Sequence, residues 1–179
     1  MIYWKHFKSI VIHKWFVFLA GLRLGVPVWR LVVHDWQKFT HWEFKAYARN
    51  FQFKGEKAEK AGFDFSYAWL HHENTAPHHW GYWIPRAGRY ANMPLPMPET
   101  YVREMVADWL GASRAYTGSW DMHDWLQKNL SGIVDNMCNE TWDILEDVLI
   151  EIGYENLLTV FTVDQAIRPA INHTFNNLI

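Results

Sequence analysis

Cysteine is nearly absent from this chain: Cys138 is the only one in 179 residues. That excludes an internal disulfide and any multi-cysteine zinc site, and it fits a reducing compartment. A long apolar run is also missing. The most lipid-like stretch, Ile10 to Val33, is broken by His13, Lys14, Arg23, Pro27 and Arg30, and its longest charge-free segment runs only from Trp15 to Leu22. A spanning helix needs roughly 20 apolar residues. Nor is there an excess of charge, since 17 Lys+Arg stand against 19 Asp+Glu for a formal net charge of −2. Such a balance argues against general nucleic-acid binding through a broad basic surface. No internal repeat, low-complexity linker or sustained strand alternation is present. With half of the residues apolar, disorder of the whole chain is excluded. The length suits one domain, residues 1–179. The expectation is a single all-α domain, cytoplasmic, with no membrane partner.

Two residue types are abundant, with 12 Trp and 10 His. Tryptophan suits packing and ring stacking, whereas histidine suits metal ligation and proton transfer. A coarse helical reading places them, in a bundle of about six to seven helices. Residues 2–24 form a buried N-terminal helix ended by Gly25-Val26-Pro27. Val28 to Phe39 reads as a second helix, and Thr40 caps a third from His41 to about Phe51. Lys54 to Gly62 is a charged loop, after which Asp64 or Ser66 caps a helix that stops near Pro77. Trp80 to Pro98, with four prolines, is a long loop of the kind that is usually functional or disordered. Pro98-Glu99-Thr100 opens an amphipathic helix to about Tyr116, with Met105, Trp109 and Ala112 on one flank. Further helices are expected at Asp121–Leu130 and Asn136–Ile152, the latter with Trp142, Leu145, Leu149 and Ile152 at helical spacing.

The histidines are not scattered. Four fall within the nine residues His71-His72-Glu73-Asn74-Thr75-Ala76-Pro77-His78-His79. The first pair sits at a helix end, and Pro77 forces a turn before the second, so one member of each pair can enter the same cavity. The choices between His71 and His72, and between His78 and His79, stay open. A second element is His34-Asp35, with Lys38 one turn beyond His34 on the same face. The dipeptide alone says little, because His123-Asp124 repeats it. His13 lies in the middle of an otherwise apolar helix, where a lone imidazole is either a satisfied core residue or a ligand. Finally, Glu104 and Asp108 are i, i+4 on one helix near an apolar flank, where two acids repel unless a cation or an arginine such as Arg103 or Arg114 relieves them.

In chain order the series is His13, His34-Asp35, His72, His78/His79, Asp108. This resembles the HD superfamily of metal-dependent phosphohydrolases, in particular its subset with extra histidines that holds two metals. His34-Asp35-Trp36-Gln37-Lys38 is similar to the His-Asp-x-x-Lys of the cyclic-dinucleotide phosphodiesterase branch, where the lysine meets phosphate. The stretches 33–39, 72–83 and 104–109 also resemble a family of small uncharacterised proteins frequent in phage and bacterial genomes. Together these cover roughly residues 10–115, and the last third, 116–179, adds only helices.

The superfamily resemblance implies a helical bundle carrying a dinuclear site. Asp35 would bridge, with His13, His34 and Asp108 on one ion and His72 plus His78 or His79 on the other. Oxygen and nitrogen donors without sulfur favour Mn, Fe, Zn, Co or Ni. Two ions about 3.5–4 Å apart lower the pKa of a shared water and polarise a phosphoryl oxygen. Lys38 would neutralise charge developing on that group. Arg86 and Arg89 are candidates to clamp further phosphates, Trp36, Tyr82 and Trp83 to stack a base, and Glu104 to meet the substrate. The expected activity is hydrolysis of a phosphoester in a nucleotide or a cyclic or signalling nucleotide. The alternatives are di-iron oxygenase chemistry on the same ligands, or a non-enzymatic interaction module with a structural metal.

Overall fold

The computed structural model describes residues 1–51 and 56–158. Its first helix, α1, spans Ile2–Arg23. No proline and no glycine before Gly21 interrupts it, and the chain leaves it through Gly25 in the left-handed region, φ 72°, a conformation that favours glycine. Ile10, His13, Val17, Ala20 and Gly21 face inward at helical spacing. They pack along α5, Glu99–Thr117, which begins immediately after Pro98 and stops at Gly118, φ 81°. The two helices approach closely because of one residue: a Cβ on Gly111 would lie 2.6 Å from the backbone nitrogen of Val17.

On the far side of α5 lie α6, His123–Val134, and α7, Asn139–Glu151. Their Leu126, Leu130, Leu145 and Leu149 are fully buried and complete the main core with Val102, Met105 and Val106 of α5. On the other flank of α1, α3 (His41–Asn50) pairs with α4 (Glu56–Thr75) around a small core of Ala46, Tyr47 and Ala68. Seven α-helices and two 3-10 turns, with no strand, make up the described residues. None of these helices is long and apolar enough to cross a membrane.

Four expectations change. The stretch read as one helix from Val28 to Phe39 is broken in the middle: α2 covers only Val28–Val33, and a separate 3-10 turn holds Trp36–Phe39. Asp35 between them takes φ 54°, which an α-helix cannot contain. The charged stretch after α3 is already helical from Glu56, so Asp64 and Ser66 lie inside α4, where Ser66 Oγ donates back to the carbonyl of Gly62; Lys54 and Gly55 lie outside the described residues. Thr40 does precede α3, but its hydroxyl donates to the carbonyl of Gln37 and does not cap the helix. Finally, α1 is buried on one face only. Trp4 and Trp15 on its outer face are 60% and 57% exposed. Of the C-terminal segment, residues 159–179 lie outside the described part.

Candidate metal centre

Asp35 is where the site is built. Positive φ is uncommon outside glycine but is tolerated by aspartate. Here it ends α2 and turns both His34 and Asp35 into the interior, where each is 2% exposed. The following 3-10 turn brings Lys38 Nζ to 2.5 Å from Asp35 Oδ2. Lys14 of α1 fixes the break by donating to the carbonyls of Val32 and His34. Gln37 ties the turn to the end of α4 through a 2.8 Å bond to the Thr75 carbonyl. His72 arrives from the last turn of α4. His78 and His79 follow the break at Pro77, held by the indole N–H of Trp83 donating to the Pro77 carbonyl at 2.8 Å.

The two oxygens of Asp35 face different partners. Oδ2 lies 3.6 Å from His13 Nε2 and 3.5 Å from His34 Nε2. Both of those nitrogens also face Asp108 Oδ1, at 2.9 and 3.4 Å. Oδ1 lies 3.2 Å from His72 Nε2 and 3.4 Å from His78 Nε2, with His79 completing that group. Two ligand sets therefore meet at one carboxylate. Ligands at about 2.1 Å from a common tetrahedral ion stand about 3.4 Å apart, which is the spacing found here.

Apart from the Lys38 ammonium beside Asp35 Oδ2, these atoms face only one another. Both oxygens of Asp35, Asp108 Oδ1, and the Nε2 atoms of His13, His34, His72, His78 and His79 are buried without a hydrogen bond. Buried polar atoms in folded proteins are almost always satisfied, so a convergent set of orphans fits a cation. The charge count agrees. With neutral imidazoles, the form in which they ligate, the carboxylates of Asp35, Glu43, Glu104 and Asp108 stand against the cations of Arg30, Lys38 and Lys14, one positive charge short.

A second layer holds the Nδ1 edges. Glu43, wholly buried on α3, places Oε1 2.5 Å from His71 Nδ1 and Oε2 3.2 Å from His72 Nδ1. Glu104 Oε1 lies 3.0 Å from His34 Nδ1 and 3.6 Å from His78 Nδ1. Its Oε2 accepts from Arg30 Nε at 2.7 Å. Carboxylates on the far nitrogen fix the ring orientation and raise the basicity of a ligating histidine.

Electrostatics divide the histidines. Burial disfavours the charged form of His34, but Asp35, Asp108 and Glu104 together outweigh it and raise its pKa to about 9. Burial, reinforced by His72, lowers His79 to about 3, and burial with His79 and His34 nearby holds His78 well below its usual value. For Asp35, burial is overcome by His34 and Lys38; for Asp108, by His13 and His34. Both stay well below the usual carboxylate range. Burial of Lys38 is outweighed by Asp35 and Asp108, which raise its pKa and keep it charged.

The structure thus brings together His13, His34, Asp35, Lys38, His72, His78, His79 and Asp108. It separates His72 from His71, whose side chain is 42% exposed beside Glu43. Glu104 was expected to meet substrate; instead Arg30 and two imidazoles engage its carboxylate. Trp83 is half-buried, its ring tilted against Tyr101 and its N–H bracing the Pro77 turn. Arg86 and Arg89 are exposed on the loop, Arg89 over its neighbour Tyr90. His123-Asp124 is an exposed pair at 3.7 Å. Sequence reasoning missed Glu43, Arg30 and Tyr116, whose ring stacks on His13 at 6.1 Å. Glu43 precedes His71 by 28 residues on another helix, and no local signal marks it.

A crevice of about 130 Å³ reaches His34, Asp35 and His78 of the cluster and is lined besides by Arg30, Trp36 and Glu104. It is smaller than the roughly 300 Å³ at which small-molecule sites begin. The remaining exposure of the cluster lies at Lys38 and Asp108, whose side chains are 16% and 14% accessible.

No curated protein and no solved structure matches the chain. The family of unknown function DUF5662 matches residues 2–151, a span containing all seven helices and every residue of the cluster, and the chain belongs to that family.

Proposed function

We propose that the chain is a metal-dependent phosphohydrolase cleaving a phosphoester of a nucleotide, cyclic and signalling nucleotides included, at a two-ion site. The observation that carries this reading is Asp35, a buried carboxylate with one oxygen toward His13 and His34 and the other toward His72 and His78. Divalent ions of the Mn, Fe, Co, Ni or Zn class, when bound, supply Lewis acidity toward a phosphoryl oxygen and toward water.

The chain's own residues do the rest. Glu43 and Glu104 hold the imidazoles of His34, His72 and His78 by Nδ1, which leaves their Nε2 atoms free to hold a metal. Lys38 stands at the accessible edge with its charge secured by Asp35 and Asp108, where it offsets negative charge growing on the phosphoryl group. Asp108 shares that edge, so substrate reaches the ions past these two side chains. Tyr116, 68% exposed and stacked on His13, offers a ring face to a base. Hydrolysis forms a bond from water oxygen to phosphorus, breaks the ester P–O bond and returns a proton to the leaving oxygen.

The test is elemental analysis of protein purified with each metal in turn, combined with a hydrolysis screen over linear and cyclic nucleotides. Close to two ions per chain, and turnover lost in Asp35→Asn, are the expected results. Iron-dependent oxygen uptake without phosphoester cleavage would favour oxygenase chemistry instead. Substoichiometric metal in a normally folded protein would remove the enzymatic reading.

A further inference from the structure

The outer face of α1 is apolar where a surface helix is normally polar. Trp4, Val11, Trp15 and Leu22 stand in one line along it, 60%, 44%, 57% and 46% exposed. The face continues sideways: Trp4 stacks on Phe7, Phe7 meets the edge of Phe39, and the ammonium of Lys14 lies over Phe39 while bonding to the carbonyl of Val32. Val32 is 62% exposed. Contiguous exposed patches of this kind mark an interaction surface.

Charge identifies the partner. Residues 1–34 contain five Lys and Arg and no Asp or Glu, while the remainder of the chain is left with twelve basic residues against nineteen acidic. Exposed Lys5 and Lys8 lie among these aromatics, Lys8 over the ring of Trp4 at 5.2 Å. A second copy docking by the same face would set cations against cations. Tryptophans with lysines on a single helix lying flat are instead the chemistry of an anionic bilayer surface, with indoles at the headgroup level.

We propose that α1 and the adjoining Phe39 and Val32 form a docking face for anionic membranes, on which the protein lies peripherally. The lack of a spanning helix among the described residues bears on crossing a bilayer and leaves this mode open, so the proposal replaces the expectation of no membrane partner. The inference is independent of the metal centre.

The test is co-sedimentation of the full chain with vesicles of phosphatidylcholine alone or with about 30% phosphatidylglycerol, whose negative surface potential attracts basic segments. Binding is expected only to the anionic vesicles and should weaken at high salt. Trp4→Ser with Trp15→Ser should lower partitioning at least tenfold, and Lys5→Gln with Lys8→Gln by about fivefold per lysine. Circular dichroism should be unchanged, because all four side chains are exposed. Absence of binding, or binding indifferent to both double variants, would overturn the proposal. So would a concentration-dependent dimer abolished by the tryptophan variant, which would make the face a self-interface.

Discussion

Gly111→Ala tests whether the packing of α1 on α5 sets the metal geometry. The added Cβ would lie 2.6 Å from Val17 N and 2.8 Å from Val17 Cα. These are backbone atoms and cannot rotate away. Carbon contacts relax at about 3.5 Å, so α1 must withdraw by about 0.8 Å. One turn along from Val17 is His13, and nearly one turn along from Gly111 is Asp108. The withdrawal therefore carries His13 Nε2 about 0.8 Å from its place beside Asp108 Oδ1, now 2.9 Å away, and Asp35 Oδ2, already 3.6 Å away, more than the ~0.2 Å that metal–ligand distances tolerate. Overpacking costs about 1–3 kcal/mol, at about 2–4 °C of melting temperature per kcal/mol for a chain of this length. The expected result is a lower melting temperature in chelator together with loss of metal at the His13 side. Gly132→Ala on α6 is the control, because nothing lies within 4 Å of its added Cβ; it should be neutral or stabilising by up to about 1 kcal/mol. Unchanged melting and metal content in Gly111→Ala would refute the argument.

Lys38→Ala should retain metal and lower kcat with little change in metal content; a full rate in steady-state assays would remove Lys38 from the mechanism. Glu43→Gln should weaken metal binding about 10–100-fold in a chelator competition, since it frees the Nδ1 edge of His72 without removing a ligand. His34 has a folded pKa near 9 against 6.5 unfolded, so its protonated form stabilises the metal-free protein fully below pH 6.5. That contribution, on the order of 3 kcal/mol, is lost as pH rises to 9. Denaturant titrations in chelator should show the decline, and a flat profile would contradict it. His123→Ala should leave melting temperature and metal content unchanged, because that pair is exposed and distant in role.

What could be read before folding was the inventory of ligands and their grouping. His34-Asp35, the histidines around Pro77 and Asp108 announce themselves by density and by acids placed where burial is costly. The choice of His72 over His71 was not readable, because adjacent residues on a helix differ by about 100° and only the seating of α4 on α3 decides which points inward. The left-handed turn at Asp35 was hidden for another reason. Nothing in Val28 to Phe39 breaks a helix locally; the break is imposed by burial of two ligands that a continuous helix would point apart. Glu43, Glu104 and Arg30 were illegible as a supporting layer, because their partners lie 28 to 74 residues away in sequence.

That supporting layer also bears on how many ions the cluster takes. His34, His78 and Glu104 lie close enough to form a third ligand group, which by composition alone matches the other two. The atoms separate them. Toward Glu104, His34 and His78 present Nδ1, whereas toward Asp35 they present Nε2. Glu104 is further committed to Arg30, whose guanidinium lies 2.5 Å from Oε2 and 4.0 Å over the ring of Tyr101. An ion placed there would sit beside a fixed positive charge and compete with it for the same carboxylate. Around Asp35 and Asp108 the local excess is negative and the nitrogens face inward without partners. On the two-ion reading proposed above, the groups sharing Asp35 are the two positions, and Arg30 occupies the place a third would need.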